Sequence, residues 1–136
     1  MNTNRILIAG LVGGVFAFFF GWLLWGILFN DLMPTGIKAV ERTESDMIMW
    51  ALAVANLLWG ILIAYIFVQW ANISTWQSGA MAGAILGLFA TASFDLGYFA
   101  MTNLFTLQEL AIDVALNTLW VAAIGAVVGL WLGWKK

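Results

Sequence analysis

The sequence predicts an all-α protein, an integral membrane four-helix bundle that forms a single transmembrane domain over residues 1–136. Of its residues, 64% are hydrophobic and only 9% are charged, whereas a soluble domain carries about a quarter charged residues. Four apolar stretches also reach the roughly 20 residues that a helix needs to cross a bilayer. The predicted spans cover about residues 6–29, 47–70, 79–102 and 107–134.

The first stretch is longer than the apolar part of a signal peptide, and no small-residue cleavage site precedes a polar segment. We therefore interpret it as a retained span. Four spans place both ends of the chain on the same side of the membrane. Lysine and arginine are more frequent on that side, which favours cytoplasmic termini: Arg5, Lys135 and Lys136 lie there, and Lys38 and Arg42 lie opposite.

The connection between the first and second spans is the only substantial one. It runs from Asn30 to Asp46 and holds four of the seven acidic residues. It is too short to form a domain. We expect its Gly36–Ser45 part to form a surface helical turn, after which Thr43 or Ser45 caps the second span.

The remaining connections are short. Residues 71–78 carry no charge. The run Thr106-Leu107-Gln108-Glu109 fits the S/T-x-x-E capping box, in which each side chain accepts a hydrogen bond from the backbone N–H group of the other residue. The last helix is therefore predicted to start at Thr106. Because few residues separate the third span from the fourth, these two spans should form an antiparallel hairpin.

Glycines recur at intervals of four in the half of the bundle near the termini. This spacing places each series along one helix face, where small residues let helix backbones approach closely. The pattern predicts tight helix packing, with the partner helix in the same chain or in another copy. Three such series are more than one compact four-helix bundle needs, so we expect the chain to pack with itself or with larger membrane subunits. The series are Gly10 and Gly14; Gly79, Gly83 and Gly87; and Gly125, Gly129 and Gly133.

Two carboxylates lie within predicted spans, near the hairpin between the third and fourth. Asp95 is about 10–12 Å along the third helix from this hairpin and Asp113 about 10 Å along the fourth, at roughly 1.5 Å per residue. An unpaired acid inside a membrane segment costs roughly 2.5–3.5 kcal/mol, so by default it marks a functional site. Because the spans contain no Lys, Arg or His, at least one of the two acids should be protonated, and two close acids titrate as a coupled unit.

Other side chains lie at a comparable depth from the same membrane surface. Helical geometry allows one side chain from each helix to meet in a polar layer or ligand site. We expect Asp95 to be buried there and protonated at neutral pH, with Asn117 or Asn56 as its partner and Thr91 as a local alternative. The candidate layer consists of Trp22, Asn56, Asp95 and Asn117, with Asp113 at its rim.

The sequence leaves several roles open for the two carboxylates. A protonated acid can link helices by a hydrogen bond, the site can hold a proton, a cation or a small ligand, or the pair can act on water as an aspartyl dyad. Intramembrane aspartyl proteases carry a Gly-x-Gly-Asp motif, whereas Ala92-Ser93-Phe94 precedes Asp95. The dyad is therefore the least favoured role. Asp113 also has a structural explanation, because the helix macrodipole favours an acid in an early turn.

Most of the nine tryptophans lie near predicted span ends, as interfacial belts require. Trp22, Trp59 and Trp120 lie deeper, where packing or an aromatic ligand cage would account for them. The residues assigned to the belts are Trp70, Trp76, Trp131 and Trp134 on one side and Trp25 and Trp50 on the other.

The end of the third span carries a family resemblance. Thr102-Asn103-Leu104-Phe105-Thr106-Leu107, followed by Ile112-Asp113-Val114-Ala115, resembles a family of small four-span bacterial membrane proteins of unknown function. That family's signature reads Tyr-Asp-Leu-Thr-Asn-Leu-x-Thr-Leu, with a later Val-Asp-Ile-Ala-Trp. The first acid of that signature aligns with Ala100 of this chain, and Asp95 lies outside the signature. The resemblance implies a bacterial inner (plasma) membrane protein and brings no activity with it.

Composition restricts the chemistry further. The absence of Cys and His removes thiol nucleophiles and the usual zinc and haem ligands; we expect no metal, no cofactor and no nucleic-acid partner. We predict a small non-enzymatic membrane protein whose partners are the lipid bilayer and either further copies of itself, as a homo-oligomer, or a larger membrane complex. The alternative is a small dimeric transporter or channel with a carboxylate-based site for a proton, a cation or a small molecule.

Overall fold

A computed structural model describes residues 3–29, 31 and 44–134. The fold class is confirmed, since the described residues form four long helices and no strand, and each helix is long and apolar enough to cross a membrane. The chain is thus a multi-pass membrane protein by length and composition. The helices are α1 (Thr3–Gly21, continued by a π-helical segment, Trp22–Leu28), α2 (Met49–Ile66, continued by a π-helical segment, Phe67–Ala71), α3 (Trp76–Met101) and α4 (Leu107–Trp134).

The start of α2 differs from the expectation. A 3₁₀ turn covers Glu44–Asp46, and α2 begins at Met49, with Ile48 at the N-cap position and no side-chain cap. The prediction that Thr43 or Ser45 caps this helix is therefore wrong. Most of the surface helical turn expected before it lies outside the described residues.

The other helix ends follow local sequence rules. The predicted capping box of α4 is confirmed, because Thr106 N donates to Glu109 Oε1 (2.9 Å) and Glu109 N donates to Thr106 Oγ1 (3.2 Å). At the start of α3, Thr75 Oγ1 accepts from the backbone N–H of Ser78 (3.2 Å). Asn72 ends α2 in the left-handed conformation, with φ 53°, a position that favours Gly or Asn.

The helices pack as two antiparallel pairs, α1 with α2 and α3 with α4. Contacts between α1 and α4 join the pairs, so the spatial order is α2, α1, α4, α3, and α3 packs mainly against α4. Arg5 Nη2 donates to the carbonyl oxygen of Leu132 (3.0 Å). The start of α1 and the end of α4 therefore lie at the same end of the bundle, as four spans require.

The core lies between α1, α2 and α4 and consists of tightly buried aliphatic and aromatic side chains. Trp120 on α4 is 8% exposed, and its Nε1 donates to the carbonyl oxygen of Ala17 on α1 (3.1 Å). A buried indole N–H needs such a partner. The fully buried residues include Ala17, Ile63, Phe67, Ile124, Val128 and Leu132.

Glycines form the contact between α1 and α2. A Cβ atom added at Gly10 would lie 2.6 Å from Ile61 Cα, and one at Gly14 would lie 2.7 Å from Leu57 Cα. At Gly60 an added Cβ would contact the backbone of Gly10 and Gly14. These positions admit no larger side chain unless the helices separate.

A second line of glycines, here called the glycine seam, joins α3 to α4. A Cβ atom added to any of its members would collide with the neighbouring chain segment, in most cases with its backbone. All three predicted series therefore serve packing within one chain. The expectation that they exceed what one bundle needs is wrong, because both helix pairs use them. The seam consists of Gly79, Gly83, Gly87, Gly125, Gly129 and Gly133.

Candidate functional site

Asp95 is the acidic side chain that α3 buries. It is 6% exposed, and its Oδ2 atom has no hydrogen-bond partner among the described residues. A carboxyl oxygen that is buried without a hydrogen-bond donor loses its hydration and gains no hydrogen bond to replace it. Among the described residues, Arg5 Nε is the other buried side-chain atom without a partner, and it lies at the opposite end of the bundle.

The glycine seam determines which residue of α4 lies level with Asp95. A Cβ atom added at Gly87 would lie 2.9 Å from Val121 Cβ and 3.1 Å from the carbonyl oxygen of Asn117. Eight residues after Gly87 on α3 is Asp95, and eight residues before Val121 on the antiparallel α4 is Asp113. The seam thus leads into a pair of carboxyl groups.

Asp95 and Asp113 are neighbours at this level, within reach of a hydrogen bond between their carboxyl groups. Two carboxyl groups can form such a bond only when at least one of them carries a proton, since two carboxylates have no donor between them. Asp113 is half-buried. The structure therefore brings together the two acids that the sequence separates by 18 residues.

The two asparagines of the expected layer make local bonds. Asn117 Nδ2 donates to the carbonyl oxygen of Asp113 (2.9 Å), and Asn56 Nδ2 donates to the carbonyl oxygen of Leu52 (2.8 Å). Each amide thus bonds one turn back along its own helix. Asn56 is buried beside α1, against Gly14. The partner of Asp95 is Asp113, and the two asparagines expected in that role do not fill it.

Tryptophan does not line this site. Trp22 is 61% exposed and lies outside any buried layer, which corrects its placement there. Trp120 forms edge-to-face contacts with Trp25 (centroids 5.4 Å apart) and Trp59 (6.4 Å). This cluster joins α1, α2 and α4 through packing, so Trp25 belongs to it and Trp59 and Trp120 need no ligand to explain them.

The carboxyl pair lies close to one membrane boundary. Helices α3 and α4 have 26 and 28 residues, about 39 and 42 Å at 1.5 Å per residue, against a hydrocarbon core of about 30 Å. Asp95 precedes the end of α3 by six residues, and Asp113 follows the start of α4 by six, or about 9 Å in each case. A bilayer centred on these helices would place the pair a few ångström inside the hydrocarbon region, near the hairpin between the two helices.

One sequence signal could have identified the pair. Asp95 continues the four-residue spacing of the third-span glycines, with Thr91 between, and Asp113 continues that of the fourth-span glycines, with Val121 and Asn117 between. Reading both series to their ends places the two acids on facing sides of one antiparallel contact. Depth along the helices placed the two acids at a similar level but left their partners undetermined.

Comparison of the chain with protein-family models, with curated proteins and with solved structures found no match. The resemblance to the small bacterial four-span family therefore stays a prediction. Within the part of the chain that the structure describes, no three His, Cys, Asp or Glu side chains group closely enough to hold a metal ion.

Proposed function

We propose that this chain is a non-enzymatic membrane protein that works by lateral assembly, with copies of itself or with a larger membrane complex, through the outer face of α3. This face is defined by Ala90, Ser93 and Gly97, which helical spacing of three and four residues places on one side. It lies opposite Asp95. The proposal rests on the open space around Gly97.

Gly97 has no neighbour that would explain a glycine. A Cβ atom added there would have nothing within 4 Å, whereas an added Cβ at each of the other described glycines has a neighbour within that distance. Glycine within a helix costs about 1 kcal/mol relative to alanine. Because no contact within the chain compensates this cost, we infer that the small surface at Gly97 receives a helix from outside the chain.

The burial of α3 supports the same inference. Of the four helices, α3 has the lowest mean hydropathy, yet only 11% of its apolar window is buried, against 28% or 33% in the others. If lipid were the only neighbour of the exposed surface, the most exposed helix would be expected to be the most apolar. The exposed hydroxyl of Ser93 fits a helix–helix contact, where serine and glycine are enriched.

Replacement of Gly97 by leucine tests the proposal. Gly97→Leu should leave the chain folded, because the added side chain meets open space, but it should lower the assembled fraction. The measurement is the native mass of the protein extracted in mild detergent, by light scattering. The matched control is Ala55→Leu, which places the same side chain on the exposed face of α2, at the other edge of the bundle.

Loss of the larger species in Gly97→Leu alone supports the proposal. An unchanged mass in Gly97→Leu, or an equal loss in Ala55→Leu, contradicts it. Far-ultraviolet circular dichroism confirms that both variants keep their helices. Gly83→Leu is unsuitable for this test, because Gly83 packs against α4 within the chain.

A second candidate function is supported by a different observation, the burial of Asp95 against Asp113. A small dimeric transporter or channel needs a site in the membrane that binds and releases its ion, and intramembrane carboxyl groups commonly serve this purpose. In this candidate the outer face of α3 is the dimer contact. The site lies near one boundary, so a second element would have to open it to the other side.

A further inference from the structure

We propose that Asp95 and Asp113 form a binding site for one proton, and that the bound proton holds the last turns of α3 against α4. The inference deepens the second candidate function, but it is tested on the purified chain and requires no transport. A chain that transports nothing can still confirm the proton site, and a carboxyl pair that binds a cation instead of a proton overturns this inference but leaves the second candidate function in place.

Over the residues that the structure describes, the surroundings of Asp95 leave a proton as the available counter-charge. Neither α3 nor α4 contains Lys, Arg or His over its described residues. The other acid near this level of α4 is Glu109, whose carboxylate accepts from the backbone N–H of Thr106. Asn117 is engaged with its own helix, and Tyr98, the other ionisable group near the end of α3, is exposed. No positive side chain of α4 thus faces the pair.

The contact geometry favours a proton over a metal ion. The two carboxyl groups are neighbours, and among the described residues no third acidic side chain joins them to form a metal-binding group. Calcium takes about six to eight oxygen ligands, more than this pair supplies. A proton fits the observed contact without any movement of the helices.

The end of α3 depends on this contact. Packing against α4 is tight along the glycine seam up to Gly87, but beyond Asp95 most residues are exposed, and Gly97 has no neighbour. Removal of the proton would leave two carboxylates facing each other at the last firm contact of the pair. Their repulsion should separate the end of α3 from α4 while the glycine seam keeps the rest in place.

Infrared spectroscopy tests the proton directly. In the full chain reconstituted in lipid nanodiscs, we expect the carbonyl-stretch band of a protonated carboxyl group at neutral pH and its loss at alkaline pH. Asp95→Asn should abolish the band, because its amide can donate to an ionised Asp113, and Asp113→Asn should abolish or shift it. Absence of the band in the wild-type chain at neutral pH, or its persistence unchanged in both variants, overturns the proposal.

Spin labels test the movement, and the absence of cysteine from the chain makes the labelling specific. The pair Ala100→Cys and Ala111→Cys, on exposed residues at the hairpin end, should show a longer label–label distance at the alkaline pH where the band disappears. The control pair, Gln77→Cys and Leu130→Cys, lies at the opposite end of the same helices and should not change.

The Asp95→Asn variant distinguishes an effect of the bound proton from a general effect of pH on the helices. With Asp95→Asn, the distance between labels at residues 100 and 111 should stay short at every pH. If that distance in the wild type does not change as the band disappears, the bound proton does not hold α3 against α4 and the proposal is wrong. If sodium ions restore the short distance at alkaline pH in place of a proton, the site is a cation site and the proposal is wrong.

Discussion

Gly83 and Gly97 lie on the same helix, but they have opposite surroundings. A Cβ atom added at Gly83 would contact the carbonyl oxygen of Val121 and lie 3.0 Å from Ala122 Cα, whereas one added at Gly97 would meet nothing within 4 Å. Alanine is the smallest change that distinguishes them. It adds the same methyl group and the same gain in helix propensity at both positions.

We therefore predict opposite signs for the two alanine variants. Gly97→Ala should stabilise the detergent-solubilised monomer by about 1 kcal/mol, because it removes the entropic cost of glycine. Gly83→Ala should destabilise it by about 1–3 kcal/mol, because two helix backbones must separate to admit the methyl group. Unfolding in mixed micelles of increasing denaturing-detergent content measures both. Equal effects of the two substitutions would show that the glycine seam is not closely packed.

Helix α4 is defined at its start by local bonds and along its length by tertiary contacts. Its capping box satisfies two backbone N–H groups close to the carboxyl pair, because Thr106 and Glu109 bond reciprocally. Asp113 is one turn beyond Glu109 on the same helix. The cap therefore keeps the first turn of α4 intact at the level where Asp95 approaches.

Loss of the cap should loosen this turn first. Thr106→Ala or Glu109→Ala should cost about 0.5–2 kcal/mol and speed hydrogen exchange of the amides in the first turn of α4, as measured by mass spectrometry. Gln108→Ala, an exposed position between them, is the control and should leave exchange unchanged. Faster exchange in the control than in either cap variant would count against the assigned bonds.

The whole molecule is a row of four helices in the order α2, α1, α4, α3, in which α2 also contacts α4 and α3 lies at the outer edge. Exposed tryptophans mark its two ends, with Trp50 at one and Trp70, Trp76 and Trp134 at the other. Indole rings prefer the interfaces of a bilayer, so the row lies across the membrane with the carboxyl pair at the Trp50 end. The two connections at Gln77 and Gln108 then face opposite sides.

Impermeant thiol reagents test this arrangement in intact membranes. Gln77→Cys and Gln108→Cys, made singly, should be labelled from opposite sides. If the reagent labelled both cysteines from the same side only, the chain could not cross the membrane four times. Labelling of each from both sides would show two orientations in one membrane, which the nearly balanced Lys and Arg counts permit and which the dual-topology form of the second candidate function requires.

The sequence by itself determined the features that depend on the bilayer and on neighbouring residues. Four spans follow from the length of the apolar stretches, because a backbone in lipid must satisfy its hydrogen bonds internally. The capping box of α4 follows from residues three apart. These features were predictable because each depends on one segment and its solvent.

Only the tertiary structure decided which faces meet. Depth along each helix allowed Asp95 to join Asn56, Asn117 or Trp22, and the backbone contacts of the glycine seam selected Asp113 instead. The spatial order of the helices and the open surface at Gly97 were equally undetermined. The physical reason is that every face of a helix in lipid is largely apolar, so hydropathy does not specify a neighbour; the shape of the packed backbones does.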